Sequence, residues 1–433
     1  MPPEGLRRQE AARRPPDGRF SNQQMLLAPG GCVKLNGRGS IMPAMTSQND
    51  FFMARALELA RQGRGTVEPN PMVGAVLVRD GVVIAEGYHR RFGGPHAEVE
   101  AIAAARAAGA DPRGATIYVT LEPCCHVGRT PPCTRALLEA GVAKVVGAMQ
   151  DVDVRVAGGG YQQLRDAGVE VISGVLESRA RALLSAYIKL RTCGRPWVVC
   201  KWAQTPEGFL ALPPGQGRWI SGSGSRDFVH RLRGFCDGIC VGVGTVLADD
   251  PLLTNRSGWG KQPLRIVLDS HLRTPLQSQL VSTARQFPAL IATTTHAVQA
   301  GLAKARQLEQ AGVELLALPA SGGRVDLGAL LDELGRRQQT YLLVEGGEAV
   351  LRAFIDQGLA DELLAFVCPS KSGEGTAIAR DANLNAAEPS LPRLDIAELA
   401  QCLQLPQPER MPLGDDMLWR YIPSLDQPWP AWF

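Results

Sequence analysis

The first half of the chain alternates between helical and strand patterns of apolar residues. Three segments share a helical spacing of apolar positions and are predicted helices: Asp50–Gln62, His96–Ala108 and Pro132–Ala140. Four short apolar runs are predicted strands: Val73–Val78, Val82–Gly87, Thr116–Leu121 and Ala143–Ala148. Asp80 and Gly81 separate the first two runs and predict a hairpin turn. With a further strand and helix before Leu190, this half has the pattern of an α/β domain.

A second α/β pattern begins after Arg191–Pro196, where glycine and proline predict a domain boundary. Six apolar runs beyond it are predicted strands: Trp197–Ala203, Gly238–Val243, Leu264–Leu268, Ala289–Thr294, Tyr341–Val344 and Glu362–Val367. Helical stretches lie between several of these runs. Strands that alternate with helices indicate a mainly parallel sheet.

The length of 433 residues suggests two or three domains, at about 150 residues each. We predict an irregular N-terminal extension over 1–46, domains over 47–192 and 196–423, and a tail over 424–433. The extension contains Pro–Pro and Gly–Gly pairs and seven Lys or Arg against three Asp or Glu. We interpret the extension as a disordered arm or as the result of a wrongly assigned start codon. Its acidic residues disfavour an organelle-targeting segment.

Composition narrows the class of protein. Hydrophobic residues make up 45% of the chain and charged residues 21%, as in ordinary globular proteins. The mean hydropathy is −0.06, and no apolar run approaches the roughly 18 residues that a membrane span needs. The net charge of +3 is concentrated in residues 1–46, so the body of the chain is nearly neutral. This balance argues against a nucleic-acid partner bound through phosphates.

Ten cysteines in a chain of this length do not indicate a disulfide scaffold, and no secretory signal peptide opens the sequence. We therefore expect a reducing, cytoplasmic location. Cys124, Cys125 and Cys133 fall within ten residues of one another, a clustering that indicates metal binding or catalysis.

The clustered cysteines belong to a candidate zinc site. His96 and Glu98 open a predicted helix, and Cys133 follows Cys124 by nine positions. One imidazole and two thiolates suit Zn²⁺ and leave a fourth position for water, while Glu98 can shuttle protons. Zinc-dependent base deaminases combine an H-x-E element with a P-C-x-x-C element; here eight residues separate the cysteines. A structural zinc site, closed by Cys125 or His126, is the alternative, although we favour a substrate or supporting contact for His126.

Three segments carry a family resemblance: Pro69–Gly74 (PNPMVG), Pro95–Val99 (PHAEV) and Thr120–Cys133 (TLEPCCHVGRTPPC). They resemble the bifunctional deaminase/reductase of riboflavin biosynthesis. The resemblance implies a cytidine-deaminase-like fold and a diaminopyrimidinone substrate that carries a phosphoribosylamino group. It implies zinc binding by His96, Cys124 and Cys133, proton transfer by Glu98 and a substrate contact by Asn70.

This domain departs from the family pattern at two places. Cys125 stands where the family commonly has Ser, which is nearly isosteric. The loop Asp151–Val154 reads Asp-Val-Asp-Val where the family often has Asp-Pro-Asn-Pro, so its substrate contacts are expected to differ.

The second domain contains weaker signals of its own. Gly242–Thr245 and Glu345–Gly347 each follow a predicted strand, and glycines at such positions let a backbone approach a phosphate. Each motif alone is more typical of a turn. The segments Gly242–Arg256 (GVGTVLADDPLLTNR), Arg265–Ser270 (RIVLDS) and Val344–Gly347 (VEGG) resemble the reductase half of the same family.

The resemblance implies a dihydrofolate-reductase-like fold that uses NADPH. The cofactor site is then expected to comprise Ala203, Trp219, Thr245, Asp249, Ser270, Gly347, Glu348, Ala349, Val350, Leu351, Arg352 and Ala353. The substrate is expected to meet Gly217, Arg233, Leu253, Arg256 and Glu345, with the two arginines clamping its phosphate. Departures at Thr205–Gly208 and Cys368–Ser370 leave a degenerate reductase domain as an alternative.

The sequence thus predicts a two-domain α/β enzyme with Zn²⁺ and NADPH as cofactors. Its first domain is expected to replace a pyrimidine amino group by oxygen, and its second to reduce the ribosyl group to ribityl. The expected partner is a small phosphorylated pyrimidine, with no nucleic acid or membrane, and we expect a homo-oligomer of undetermined size. Two rivals are a nucleic-acid base deaminase and a non-catalytic zinc scaffold that binds pyrimidines.

Overall fold

The computed structural model describes residues 47–128, 131–212, 220–369 and 391–422. The predicted extension over 1–46 and the tail over 424–433 lie outside these described residues.

Residues 47–193 form a five-stranded sheet flanked by helices. The helices are α1 Gln48–Arg61, α2 Ala97–Ala107, α3 Cys133–Ala140, α4 Gly159–Asp166, α5 Glu177–Leu183 and α6 Ser185–Cys193. The strands are β1 Gly74–Arg79, β2 Val82–Tyr88, β3 Thr116–Val119, β4 Lys144–Gly147 and β5 Glu170–Ile172. Their order is β2-β1-β3-β4-β5; β1 pairs antiparallel with β2 and β3, and the remaining pairs are parallel.

The described residues from Trp197 to Ile422 include a nine-stranded sheet. Its strands are β6 Trp197–Gln204, β7 Gly238–Gly242, β8 Leu264–Leu268, β9 Ala289–Thr294, β10 Glu314–Leu318, β13 Tyr341–Val344, β14 Glu362–Val367, β15 Glu409–Leu413 and β16 Asp416–Tyr421. The short strands β11 Ala320–Ser321 and β12 Arg324–Val325 form a separate hairpin. The order is β10-β9-β8-β7-β13-β6-β14-β16-β15, parallel except at the β14, β16 and β15 edge.

The helices of this half are α7 Ser223–Phe235, α8 Val243–Asp249, α9 Gln279–Ser282, α10 Thr295–Ala300, α11 Leu302–Gln310, α12 Leu327–Arg336, α13 Glu348–Asp356 and α14 Ile396–Cys402. Apolar clusters fill both faces of each sheet, which is why the central strands read as continuous apolar runs. The two α/β domains and the mainly parallel second sheet are as predicted.

Two glycines let helices approach the first sheet closely. A Cβ on Gly74 of β1 would lie 2.0 Å from the Ala56 carbonyl oxygen of α1. A Cβ on Gly87 of β2 would lie 2.4 Å from the Ala101 N of α2. The alanine-rich faces of α1 and α2 therefore pack directly on the strands that precede the candidate zinc ligand His96.

The predicted boundary at Arg191–Pro196 begins in the last turn of α6 and ends where β6 starts. Ala182 and Ala186, which precede it, lie in the same buried cluster as Trp197 and Phe228, which follow it. Side chains from the two halves therefore share a core at the boundary. Within the described residues, no helix combines the length and the apolar character that a bilayer crossing requires.

Candidate functional site

Three side chains with soft or borderline ligand atoms converge at one end of the first sheet. His96 Nδ1 lies 3.2 Å from Cys133 Sγ and 3.6 Å from Cys124 Sγ, and all three ligand atoms lie within 4.8 Å of one another. His96 caps the N-terminus of α2, and Cys133 is the first residue of α3. The Cys133 N–H donates a hydrogen bond of 3.3 Å to Cys124 Sγ, which brings both thiols to the same helix start.

This donor set fits a zinc ion. Bond lengths of about 2.0 Å for Zn–N and 2.3 Å for Zn–S, at tetrahedral angles, place nitrogen and sulfur about 3.5 Å apart. The two observed His96-to-cysteine distances of 3.2 and 3.6 Å bracket that value. The hydrogen bond from the Cys133 thiol lowers the pKa of Cys124 to about 4, so a thiolate is available to a cation.

Glu98 lies in the first turn of α2, two residues beyond His96. It is 3% exposed, and burial raises its pKa to about 7. Such a carboxyl can both accept and return a proton near neutral pH. Cys125 and His126 stand beside Cys124 but are not part of the three-residue ligand group among the described residues. The structure thus groups the three predicted ligand atoms and leaves the proton-transfer role of Glu98 as a prediction.

A cavity of about 380 Å³ opens onto these groups. Asn70, His89, His96, Glu98 and His126 all line it. Asn70 Nδ2 lies 3.2 Å from His89 Nε2, and His89 Nδ1 lies 2.8 Å from the Pro95 carbonyl oxygen. The carbonyl requires a proton on Nδ1, so Nε2 accepts from Asn70 and orients its amide.

Sequence reasoning missed His89, because an isolated histidine after a strand carries no spacing signal. Its partners lie 19 positions before it and six positions after it.

The loop after β4 forms another wall of the cavity, and Glu122 holds it. The Glu122 carboxylate accepts backbone hydrogen bonds from Asp151, Gly158, Gly160 and Tyr161, at 2.8 to 3.1 Å. Glu122 is 3% exposed and lies two residues before Cys124. The buried Glu122 carboxylate thus holds the loop that includes Asp151–Val154, where the sequence differs from the family pattern.

The same loop and α6 bring two arginines to the cavity. Arg155 donates through Nε and Nη2 to the Asp153 carboxylate, at 2.9 and 2.5 Å, which lowers the pKa of Asp153 to about 2. Arg191 Nε lies 3.9 Å from Asp153 Oδ2, and its Nη1 donates to Gln338 Oε1 at 3.0 Å. Both arginines line the cavity. They are 36 positions apart, and no motif marked either one.

In the second domain, predicted site residues collect at the carboxyl ends of parallel strands. Ala203, Ser270 and Glu345 lie at or just after the ends of β6, β8 and β13, and α8, which contains Thr245 and Asp249, follows β7 directly. Because β8, β7, β13 and β6 are neighbours in that order, their carboxyl ends share one edge of the sheet. Ligands of open α/β sheets bind outside this edge.

The glycines at this edge leave room for a cofactor. A Cβ on Gly242 or Gly346 would lie 2.7 or 2.6 Å from Val350 of α13, so the two strand ends and the helix pack tightly. A Cβ on Gly244 or Gly347 would meet no atom within 4 Å among the described residues. Open backbone at the starts of α8 and α13 fits a dinucleotide pyrophosphate.

The predicted cofactor segment Gly347–Ala353 covers the start of α13, from its N-cap onward. Leu351 is fully buried in the core, and Glu348 forms an ion pair with Arg352 at 2.8 Å on the same helix. These side chains therefore contact other parts of the fold. Leu253, predicted to meet substrate, is 4% exposed, and its backbone has a φ of 56°. Gly217 and Trp219 lie outside the described residues.

Glu345 and Arg233 form a largely buried ion pair. Arg233 Nε and Nη2 donate to the two Glu345 oxygens at 2.9 Å each, and its Nη1 donates to the Thr254 carbonyl at 3.2 Å. Lys201 Nζ lies 3.7 Å from Glu345 Oε2. Burial alone would raise the pKa of Glu345, but Arg233 and Lys201 outweigh it and lower the pKa to about 2. Lys201, a single basic residue in a buried strand, was missed by sequence reasoning.

Arg256 is exposed and lies beside His230 of α7. Its Nε and Nη2 lie 3.3 and 3.1 Å from His230 Nε2. Arg256 is therefore the more accessible of the two predicted phosphate clamps, since Arg233 already holds Glu345.

Two family models match separate parts of the chain. The model described as the cytidine and deoxycytidylate deaminase zinc-binding region matches residues 46–149. The model described as the RibD C-terminal domain matches residues 196–404. The two matches fall on either side of the predicted boundary.

Curated relatives cover most of the chain. It is 40% identical over 371 residues to the riboflavin biosynthesis protein RibD of Actinobacillus pleuropneumoniae, which covers 86% of this chain and 94% of that relative. The Escherichia coli protein of the same name is 39% identical over 342 residues, or 75% of this chain and 89% of the relative.

Solved structures give the same result. Acinetobacter baumannii RibD aligns with a TM-score of 0.72 and 34% identity, over 87% of this chain and 99% of that one. A Thermotoga maritima protein described as a diaminohydroxyphosphoribosylaminopyrimidine deaminase/5-amino-6-(5-phosphoribosylamino)uracil reductase aligns with a TM-score of 0.70 and 34% identity. It too covers 87% of this chain and 99% of its own.

Proposed function

The chain belongs to the RibD family of bifunctional deaminase/reductases of riboflavin biosynthesis, and on that premise we propose its substrates, cofactors and acting residues. The first reaction converts 2,5-diamino-6-(5-phosphoribosylamino)pyrimidin-4-one and water to 5-amino-6-(5-phosphoribosylamino)uracil and ammonia. The second reduces the ribosyl group of that product to a ribityl chain, with NADPH as the donor. The observation that carries the proposal is the grouping of His96, Cys124 and Cys133 beside a cavity that Glu98 also lines.

Deamination takes place at the zinc end of the cavity. His96 Nδ1 and the two thiolates would hold zinc, which would supply Lewis-acid activation of the attacking water. Glu98 accepts a proton from that water and donates a proton to the departing amino group. Asn70, oriented by His89, holds the pyrimidine in line with Glu98.

The cationic side of the same cavity suits the anionic end of this substrate. Arg155 and Arg191 converge on Asp153, and Arg191 Nε is buried without a hydrogen-bond partner among the described residues. A phosphate beside the two guanidinium groups would accept hydrogen bonds from N–H donors that Asp153 leaves without a partner. A cavity of about 380 Å³ is within the size range of small-molecule sites.

Reduction takes place at the carboxyl edge of the second sheet. The starts of α8 and α13 would hold NADPH, which would supply the hydride. Arg256 binds the substrate phosphate, and Arg233 holds Glu345 towards the substrate. The ring oxygen released at C1′ needs a proton, and Lys201 Nζ beside Glu345 is a buried donor for it.

We place the deaminase domain at 47–192 and the reductase domain at 196–423, with a reducing cytoplasm as the compartment. The nine cysteines within the described residues are all free thiols, which suits a reducing environment. A homo-oligomer stays our prediction.

The test is a paired assay of the intact protein. Ammonia release from the diamino substrate and NADPH oxidation on the deaminated product are both expected, with only the first abolished by a zinc chelator. Ammonia release without NADPH oxidation would instead favour the degenerate reductase. Pyrimidine binding without either reaction would favour the scaffold.

A further inference from the structure

The loop between α1 and β1 carries a buried carboxylate to the domain boundary. The Glu68 side chain is 5% exposed, and its Oε1 accepts a hydrogen bond of 2.9 Å from the Gly65 N–H. Its Oε2 is buried and has no hydrogen-bond partner within the described part of the chain. The Nζ of Lys261 lies 3.8 Å from that oxygen. Because an uncompensated buried charge is costly, this carboxylate depends on Lys261.

Lys261 belongs to the reductase half, just before β8, and is anchored there. Its Nζ donates to Asp237 Oδ1 at 2.5 Å, and its backbone N–H donates to the Gly234 carbonyl at 2.9 Å. Asp237 Oδ2 accepts from the N–H and hydroxyl of Thr340, at 2.7 and 2.6 Å. The lysine is therefore presented to Glu68 by a hydrogen-bonded frame of the other domain.

Backbone packing brings the two sides together. A Cβ on Gly65 would lie 3.3 Å from the Gly234 carbonyl oxygen and 3.4 Å from the Trp259 ring. Glu68 and Asn70 also line a small cavity together with Thr340 and Tyr341. The loop that holds Glu68 thus rests directly on the reductase domain.

The same loop ends at the deaminase cavity. Asn70 follows Glu68 by two positions, and its side chain donates to His89 Nε2. His89 Nδ1 in turn donates to the carbonyl of Pro95, which precedes the zinc ligand His96. Short contacts therefore lead from Lys261 through Glu68 to Asn70 and the metal-ligand segment.

The side-chain contacts that hold Lys261 lie at the other end of the sheet from the predicted reductase site. Asp237 and Thr340 precede β7 and β13, whereas Gly242 and Glu345 lie at or beyond the ends of these strands. A change at Lys261 therefore reaches the deaminase cavity more directly than the chemistry of its own domain.

We infer that Lys261 is a positioning residue for deamination: it compensates the buried Glu68 carboxylate across the domain boundary and so holds Asn70 against the substrate. The inference rests on the proposed deaminase function, since it assigns Asn70 a substrate contact. Burial raises the pKa of Glu68. The positive charge of Lys261 lowers it, as expected for a cation paired with this carboxylate.

The test compares variants of the full chain in both assays. Lys261→Met should raise the KM for ammonia release roughly tenfold, with a smaller change in kcat. Its zinc content and its reduction of supplied deaminated product should stay within about twofold of wild type. Lys261→Arg should restore the KM, and Glu68→Gln in the Met background should recover part of it, because the uncompensated charge is then gone.

Lys189→Met is the matched control, because Lys189 also forms an ion pair across the boundary, with Asp361. It should leave the deamination KM near wild type. An unchanged KM in Lys261→Met, equal loss of both activities, or the same KM rise in Lys189→Met would overturn the inference. If Lys261→Met does not fold, Lys261→Gln provides the same comparison, because it also removes the cation and keeps the Glu68 carboxylate. A wild-type protein without ammonia release would instead refute the proposed function.

Discussion

The backbone N–H of Cys133 donates a hydrogen bond to the Sγ of Cys124, nine positions earlier in the chain. This contact brings the two sulfur ligands to the same helix start. The backbone that ends at Cys124 and the start of α3 are thereby held together, so each ligand supports the other.

We predict that Cys133→Ala loses most of its zinc. Removing one of three protein ligands leaves His96 and Cys124, which are too few for a stable site. Metal analysis of the purified variant should give well under half of the wild-type zinc content. Cys125→Ser, next to the site, should retain zinc, and full retention in Cys133→Ala would remove this ligand assignment.

Glu98→Gln should keep zinc but lose nearly all ammonia release. Glutamine has almost the same size but cannot accept and return a proton, a role worth about 10²- to 10⁴-fold in rate. Steady-state kinetics beside metal analysis would measure both effects. Glu100→Gln is the control, since Glu100 lies in the same helical turn and pairs with Arg90 instead. A Glu98→Gln rate within a few-fold of wild type would assign the proton transfer elsewhere.

Arg256→Ala should raise the KM for the reductase substrate with little change in NADPH affinity. The exposed guanidinium beside His230 is expected to bind the phosphate, and a charged hydrogen bond contributes roughly 1.5–3 kcal/mol. Initial rates over both substrate concentrations separate the two constants. Arg231→Ala, an exposed neighbour on α7, should behave like wild type. Normal substrate binding by Arg256→Ala would contradict the phosphate role.

The Glu345 ion pair predicts a pH-dependent loss of stability. The pKa of Glu345 is about 2 in the folded protein, below its ordinary value of 4.5, so the folded state favours the carboxylate. This contribution is fully present above pH 4.5 and is lost as the pH falls towards 2. Urea unfolding of wild type and Glu345→Gln should show a stability difference that shrinks by roughly 1 kcal/mol between pH 6 and pH 3.5. A difference independent of pH would mean that the pair does not depress this pKa.

Sequence patterns located the central strands of the second sheet well and its last two strands poorly. Ala289–Thr294, Tyr341–Val344 and Glu362–Val367 have the predicted bounds, because continuous apolar runs between turns mark strands buried on both faces. β15 and β16 were missed. β15 is a partly exposed edge strand, and Pro412 within it is atypical of a strand. β16 lies between β14 and β15, and buried and partly buried positions alternate along most of it, so it has no continuous apolar run.

The zinc ligands and Glu98 could be proposed from the sequence, because histidine, glutamate and cysteine at short spacings are typical of a zinc site. The rest of the cavity could not be, since His89, Arg155 and Arg191 are ordinary residues that only tertiary packing brings together. Lys261 was still harder to predict from the sequence, because its partner Glu68 is 193 positions away in the other domain.

The two domains meet at the amino ends of β7 and β13, whereas the predicted reductase site occupies the carboxyl edge of the same sheet. β13, with four residues at about 3.3 Å each, separates these two edges by roughly 13 Å of sheet. We therefore predict that, within one chain, the deaminated product passes through solvent before it is reduced. The coupled reaction should show a lag that shortens as enzyme concentration rises. A Cys124→Ser chain, which is inactive in deamination but still able to catalyse reduction, should capture the freed intermediate when it is added and shorten the lag further.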